Sequence, residues 1–116
     1  MPLRSSLVKS KYNNKKTIVN GIKFDSKKEA TRYSHLELMQ RSGVISGLAL
    51  QPRFVICPQH KWNGKTQRKK SYVADFRYIK DGVETVEDVK GMRTAVYILK
   101  RSLFLTQYPQ YKFIET

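Results

Sequence analysis

"SYVADFRYIKDGVETVEDVKG" (residues 71–91) is the most regular part of the sequence, and the other elements can be placed around it. Its two halves alternate apolar and polar side chains and are rich in Val, Tyr, Phe, Ile and Thr, which strands favour. Asp81-Gly82 lies between the halves and is typical of a two-residue hairpin turn. This stretch therefore predicts an antiparallel hairpin in which Lys80 pairs with Val83.

Two helices are predicted, one on each side of the hairpin. Ser26 followed by Glu29 is a capping box, and apolar residues then recur at helical spacing, which predicts a helix over 27–42 that Gly43 closes. A second helix is predicted from Thr94 to Gln107, before Tyr108-Pro109.

Further strands are predicted from shorter patterns. Residues 48–56 predict a strand that lies at a sheet edge or is interrupted at Pro52, because proline cannot donate to a ladder. Residues 17–24 predict a short strand with a turn at Asn20-Gly21, and residues 57–70 predict a basic loop. A last strand over 111–115 follows the second helix, so it should run parallel to the second hairpin strand.

These elements give one domain of the α/β (α+β) class. Their order is helix, three-stranded meander, helix and strand on a mixed sheet. Residues 1–20 form a basic N-terminal arm, and residues 21–116 form the domain.

The chain is strongly basic, with 23 Lys and Arg against nine Asp and Glu and a formal net charge of +14. Such a charge predicts a polyanionic partner, of which nucleic acid is the usual one and an anionic membrane surface the other. Aromatic and amide side chains among the bases fit phosphate contact and stacking better than a purely electrostatic tail. The single cysteine suits a reducing cytoplasm, and no apolar run approaches the about 18 residues that span a membrane. The candidate nucleic-acid-binding residues are Lys11, Lys15, Lys16, Lys65, Arg68, Lys69, Lys70, Arg93, Thr94 and Lys100.

The few carboxylates are crowded, since five of the nine fall between Asp75 and Asp88. The hairpin register places Asp75 opposite Asp88, and like charges so opposed destabilise a sheet unless a cation lies between them. Lys90 shares the face of Asp88 because side chains alternate along a strand. We therefore predict a divalent-cation site, although Asp88 and Lys90 alone could be an ordinary ion pair.

Three other acids of the hairpin are assigned no role in this site. Asp81 is a turn residue, and Glu84 and Glu87 are expected to be solvated strand positions.

Asp75 and, after the turn, "DVK" (88–90) resemble the signature of the PD-(D/E)xK endonuclease superfamily, whose core has the element order predicted above. The first motif departs from that signature, because "ADF" stands in place of Pro-Asp. The pattern "KYNNKKT…GIKFDSKKEA…Y…ADF…VEDVKG" also looks like a small family of phage and prophage nuclease-like proteins.

The resemblance implies a restriction-endonuclease-like core and a catalytic site. Asp75, Asp88, Glu29 and the carbonyl of Val89 would bind Mg²⁺, for which Mn²⁺ would substitute, and Lys90 would orient the attacking water. For Glu29, the capping box remains the competing explanation.

The function that follows is a Mg²⁺-dependent DNA endonuclease, selective for branched or junction DNA, in phage DNA recombination, repair or processing. Junction-resolving enzymes of similar size act as dimers, so a homodimer is expected, in the cytoplasm of a bacterial host and with no small-molecule cofactor. A non-catalytic DNA-binding or architectural protein on the same fold is the alternative. An RNA-binding accessory protein would rest on charge alone.

Overall fold

The structure is a computed structural model that describes residues 16–116, and it has a mixed α+β architecture. These residues form two helices, α1 (Lys27–Arg41) and α2 (Ala95–Gln107), and ten strands. The strands are β1 (Thr17–Val19), β2 (Ile22–Phe24), β3 (Ile45–Leu50), β4 (Arg53–Cys57), β5 (His60–Trp62), β6 (Lys65–Gln67), β7 (Lys70–Val73), β8 (Phe76–Lys80), β9 (Val83–Asp88) and β10 (Lys112–Glu115).

The predicted hairpin is confirmed as β8 and β9, with Lys80 paired to Val83. Asp81 and Gly82 both have positive φ, 52° and 76°, as a tight hairpin turn of this kind requires. The hairpin forms the centre of a four-stranded sheet with the order β10-β9-β8-β3. The β9–β10 pairing is parallel, as predicted from the intervening helix.

Two of the predicted strands are divided, and the two breaks lie side by side. Residues 48–56 divide at Gln51-Pro52, so the predicted interruption at Pro52 is confirmed. The first hairpin strand also divides, at Ala74-Asp75, which the alternating pattern did not predict. The outer halves, β4 and β7, pair as a separate two-stranded ribbon, and hydrogen bonds from Gln51 N to Asp75 O (2.9 Å) and from Ala74 N to Pro52 O (3.1 Å) join the two breaks.

The two helices cover opposite faces of the central hairpin. The buried face of α1 (Ala30, Tyr33 and Leu36) packs on Phe76 and Tyr78 of β8. The buried residues of α2, Tyr97 and Phe104, join a second cluster, which is mainly aromatic and includes Tyr72 of β7 and Val86 of β9. Successive strand residues point to opposite faces, so neighbours in sequence on β9 meet different helices.

The predicted helix boundaries agree with the structure. Ser26 is the N-cap of α1 and accepts a hydrogen bond from Glu29 N (3.1 Å), and Thr94 caps α2 in the same way through Tyr97 N (3.1 Å). Gly43 follows α1 with a φ of 85°, the left-handed conformation expected at that position.

Two further hairpins lie outside the central sheet. Residues 17–24 form β1 and β2 around Asn20-Gly21, so residues 17–19 of the predicted arm are a strand, and residues 1–15 lie outside the described part. The predicted basic loop over 57–70 is wrong, because its middle forms the β5–β6 hairpin. Asn63-Gly64 is its turn, with φ of 53° and 74°, and this dipeptide was an available signal for it. No helix within residues 16–116 is long and apolar enough to cross a membrane.

Candidate active site

Asp75 lies at the break between β7 and β8, with its backbone held from both sides. Its N–H donates to Glu87 O (3.2 Å), and its carbonyl accepts from Gln51 N (2.9 Å). Its carboxylate Oδ2 accepts from Val89 N (2.7 Å), just beyond the end of β9. The side chain of Asp75 is therefore fixed beside the "DVK" segment.

Asp88 ends β9 and is only 1% exposed, yet one of its oxygens is not satisfied. Oδ2 accepts from the hydroxyl of Tyr72. Oδ1 is buried without a hydrogen-bond partner among the described residues, and Lys90 Nζ lies 3.0 Å from it as an ion pair outside hydrogen-bond geometry. A buried carboxylate oxygen in this state can accept a bond from a cation.

Asp75 and Asp88 affect each other's ionisation. Burial, and then the neighbouring carboxyl group of Glu29, raises the pKa of Asp75 to about 6. Burial, and then the neighbouring carboxyl group of Asp75, raises the pKa of Asp88 to about 6. Both shifts show that negative charge is unfavourable here, and a bound cation would reverse them.

Glu29 faces the aspartates from the first turn of α1. Its backbone N–H is capped by Ser26, but within residues 16–116 its carboxylate is not seen to return a bond to the Ser26 backbone. The carboxyl group lies beside that of Asp75 instead and raises its pKa. Half of the predicted capping box forms, which leaves the Glu29 carboxylate next to the aspartates.

The carboxylates of Glu29 and Asp75 line two neighbouring cavities, whereas the buried Asp88 lines neither. A cavity of about 580 Å³ is lined by Glu29, Asp75, Val89 and Lys90, with Lys28 at its side. A smaller one of about 150 Å³ shares Glu29 and Asp75. Within residues 16–116, no three His, Cys, Asp or Glu side chains form a metal-holding group by themselves. Two carboxylates completed by water and substrate phosphate are nevertheless a common Mg²⁺ set.

Lys90 is positioned by several contacts at the same cavity. Its Nζ lies 4.4 Å from the centre of the Tyr97 ring, a cation–π distance. Its backbone N–H donates to Thr116 O (2.9 Å), and its carbonyl accepts from Lys28 Nζ (3.3 Å). The ammonium group is thus held between Asp88 and an aromatic ring, at the edge of the cavity.

The prediction that Glu87 is solvated is wrong. Glu87 is completely buried, accepts from Arg32 of α1 through both carboxylate oxygens (2.5 and 2.9 Å) and accepts from Tyr78 (2.8 Å). Alternation along β9 turns it towards α1, which supplies the arginine one turn after Glu29. This ion pair fixes α1, and with it Glu29, relative to Asp88. Glu84 is partly exposed and pairs with Arg77.

Tyr72 is the other residue of the site that the sequence did not indicate. It lies on β7, and its hydroxyl holds Asp88. Burial raises its pKa, so the hydroxyl stays protonated and donates. In a continuous strand Tyr72 would not be expected to reach Asp88. The break at Ala74-Asp75 separates β7 from β8 and allows the contact between Tyr72 and Asp88.

The candidate nucleic-acid-binding residues are distributed over several surfaces. Lys11 and Lys15 lie outside the described residues, and Lys16 pairs with Asp25. Arg93 pairs with Glu115 (2.7 Å), and Thr94 caps α2. Lys100 is half-buried on α2. Four exposed bases belong to or follow the β5–β6 hairpin: Lys65, Arg68, Lys69 and Lys70.

Residues 9–115 match the model of the family described as "Protein of unknown function (DUF1064)". No curated protein and no solved structure matches the chain.

Proposed function

The chain belongs to the DUF1064 family, and we propose that it is a Mg²⁺-dependent DNA endonuclease that hydrolyses phosphodiester bonds at Asp75 and Asp88. The observation that carries the proposal is the pairing of these two carboxylates around the unsatisfied Oδ1 of Asp88. Burying two carboxylates side by side is unfavourable unless a cation offsets their charge; among the described residues Lys90 pairs with Asp88, whereas Asp75 has no ion pair.

The donor set fits a hard divalent cation. Asp75 has one oxygen held by Val89 N–H, and Asp88 has one held by Tyr72, so each carboxylate is oriented by a single bond and keeps an oxygen for a metal. Glu29 and the Val89 carbonyl are the further proposed ligands. Oxygen ligands of this kind suit Mg²⁺ and Mn²⁺.

The bound cation would polarise a phosphoryl oxygen and lower the pKa of water, which is the chemistry that phosphodiester hydrolysis needs. The chain's own residues supply the rest. Lys90 orients the attacking water and stabilises negative charge that develops on the phosphate. Tyr72 fixes Asp88, and the Arg32–Glu87 ion pair fixes the helix that carries Glu29.

We propose that the fold is a restriction-endonuclease-like core, and the order of its elements supports this proposal. In the described residues, α1, the antiparallel strands β3, β8 and β9, then α2 and the parallel strand β10 follow in the order expected of that core. Asp75 and the "DVK" segment occupy the adjoining ends of β8 and β9, as the proposed signature requires.

DNA is the proposed substrate because of the charge around the acidic site. Lys27 and Lys28 line a cavity of about 460 Å³ between α1 and the residues Val89 and Thr116. With a formal charge of +14 over the chain, a phosphate backbone is attracted to surfaces that flank the carboxylates.

We propose that the enzyme is a homodimer and that α2 forms the interface. Its outer face exposes Val96 (63%) and Leu99 (60%), with Met92 just before the helix. The charged group of Arg101 is turned inward to Glu115 (2.9 Å). This face is mainly apolar, with Lys100 beside it, and an apolar face allows a second copy of a highly basic chain to approach. A specific interface needs about 1,000 Å² of total buried surface, so neighbouring residues would have to contribute besides this face.

The test of the activity is incubation with Mg²⁺ and a panel of four-way junctions, flaps, duplexes and single strands. We expect cleavage that EDTA stops. Asp75→Asn should abolish this cleavage, and Asp81→Asn in the exposed turn should retain it. Metal-dependent cleavage that survives unchanged in Asp75→Asn would assign the activity to a contaminant.

A non-catalytic DNA-binding protein is the second candidate, and one observation favours it. Lys90 lies 3.0 Å from Asp88 Oδ1, so the lysine already offsets the charge of that carboxylate without a metal. If that is the role of the pair, the protein binds the same DNA panel in Mg²⁺ and cleaves none of it.

A further inference from the structure

The β5–β6 hairpin is an insertion between β4 and β7 that forms its own two-stranded sheet. Its pairs are His60 with Gln67, Lys61 with Thr66 and Trp62 with Lys65. All three residues of β5 are exposed. A two-stranded hairpin gains little stability by itself, so the exposed side chains at its tip are not explained by packing.

Trp62 is the largest side chain on this hairpin and is 68% exposed. It immediately precedes the Asn63-Gly64 turn and lies directly across the ladder from Lys65. Directly paired residues project from the same face, so an aromatic ring and an ammonium group are presented together. That combination suits a base stacked on the ring and a phosphate beside the lysine.

The surroundings of Trp62 favour a nucleic acid over a lipid surface. Residues 57–74 contain five Lys and Arg and no acid. On the two strands and their turn, Trp62 is the single large apolar side chain among Lys, Thr, Gln, His and Asn. Membrane insertion requires more apolar area than one ring provides, whereas stacking on a base needs one ring.

The hairpin is connected directly to the carboxylate site. Nine residues lie between Lys65 and Asp75, so the tip lies at most about 36 Å from Asp75 along the chain. That reach is close to one turn of duplex DNA, about 34 Å. β7 lies between them and also carries Tyr72, which holds Asp88.

We propose that Trp62 stacks on an unpaired base at a branch point or single-stranded segment, with Lys61 and Lys65 on flanking phosphates. This inference rests on the proposed function in taking DNA as the substrate. Bases within a duplex are already stacked on both sides and offer no free face. Trp62 would therefore select branched or single-stranded DNA over a continuous duplex.

Trp62 is the sole tryptophan of the chain, so its fluorescence reports on this contact directly. The protein is titrated in EDTA with a four-way junction, a single strand and a duplex of matched length. We expect quenching by the junction and the single strand. The variants at position 62 lack this fluorophore, so their affinities are measured by the anisotropy of labelled DNA. Trp62→Ala should weaken binding to the junction and the single strand by roughly 5- to 150-fold, leaving duplex affinity within about twofold.

Two variants control the experiment. Trp62→Phe retains a ring and should restore most of the affinity for branched DNA. Ile18→Ala removes a side chain of matched exposure (67%) on β1 and should bind like the wild type. Equal melting temperatures for all variants would show that the fold is intact.

The proposal is overturned if Trp62→Ala loses duplex and junction affinity equally, or if junction DNA leaves the emission unchanged. A blue shift with phosphatidylserine-rich vesicles, without a response to DNA, would assign the hairpin to membranes instead. Because the titration needs no cleavage, its outcome is separate from that of the activity. Quenching without Mg²⁺-dependent cleavage would support base stacking by Trp62 and refute the endonuclease activity. Cleavage together with normal junction binding by Trp62→Ala would support the endonuclease activity and refute base stacking by Trp62.

Discussion

Replacing Asp75 by Asn should make the protein more stable at neutral pH. An Asn side-chain oxygen can keep the bond from Val89 N (2.7 Å), and its amide would donate towards the carboxylates that Asp75 now repels. The pKa of Asp75 is raised from 3.8 to about 6, because of burial and then the contact with Glu29. At 1.36 kcal/mol per pKa unit, that shift would correspond to about 3 kcal/mol, which partial solvent exposure reduces to roughly 1–2 kcal/mol.

The pH dependence follows from the direction of this shift. A carboxyl group with a raised pKa binds more protons in the folded state, so the wild type loses stability as the pH rises from 3.8 to about 6. The loss of stability caused by ionised Asp75 is complete above that pH range and absent below it. The advantage of Asp75→Asn should therefore be largest near about pH 7.5 and disappear near about pH 4.

Thermal unfolding followed by circular dichroism, without divalent metal, measures this effect. A gain of roughly 1–2 kcal/mol should raise the melting temperature by about 5–15 °C at neutral pH. Asp81→Asn, in the exposed turn, is the matched control and should change stability by less than about 0.5 kcal/mol. An Asp75→Asn protein that is less stable than the wild type at neutral pH, or equally improved at both pH values, would refute the reasoning.

Four other substitutions test separate parts of the account. Lys90→Ala should lose cleavage but retain Mn²⁺ binding by calorimetry; a loss of affinity like that of Asp75→Asn would make the lysine a structural residue. Glu29→Gln should not lower the melting temperature, because in the described residues the Glu29 carboxylate returns no bond to the Ser26 backbone, yet it should lower activity about tenfold or more with partial rescue by metal. Full activity in that variant would show that Asp75 and Asp88 bind the metal without Glu29. Arg32→Ala leaves the buried Glu87 without its cation and should cost roughly 2–4 kcal/mol in urea unfolding, whereas an unchanged midpoint would contradict the importance of this ion pair. Leu99→Glu should make the protein a monomer, as measured by sedimentation velocity, and the variant should still unfold cooperatively. A variant that remains a dimer would exclude the α2 interface.

The sequence predicted the helices and the central hairpin well, because their signals are local. Ser26, Thr94 and Gly43 specify helix ends through backbone bonds that lie within a few residues. Asp81-Gly82 fixes the turn and hence the pairing of β8 with β9. The parallel placement of β10 follows from chain connectivity alone.

The site was only partly predictable, because it depends on breaks in two strands. Alternation through Asp75 suggested one continuous strand, and nothing local marks the change of sheet at Ala74. The bond from Tyr72 to Asp88 exists only because of that change. The burial of Glu87 likewise depends on Arg32, 55 residues away in the chain, which no local pattern on β9 could reveal.

The most direct test of the central claim is the single-turnover cleavage rate of a preferred DNA as Mn²⁺ is increased, for the wild type and Asp88→Asn. The wild-type rate should be undetectable without metal and saturate as the site fills. Asp88→Asn should bind the same DNA at least as tightly and remain inactive at every metal concentration, because one repelling charge beside the phosphate is removed together with a metal ligand. A wild-type protein that binds this DNA but cleaves it at no Mn²⁺ concentration would contradict the claim, and so would an Asp88→Asn protein with a wild-type rate.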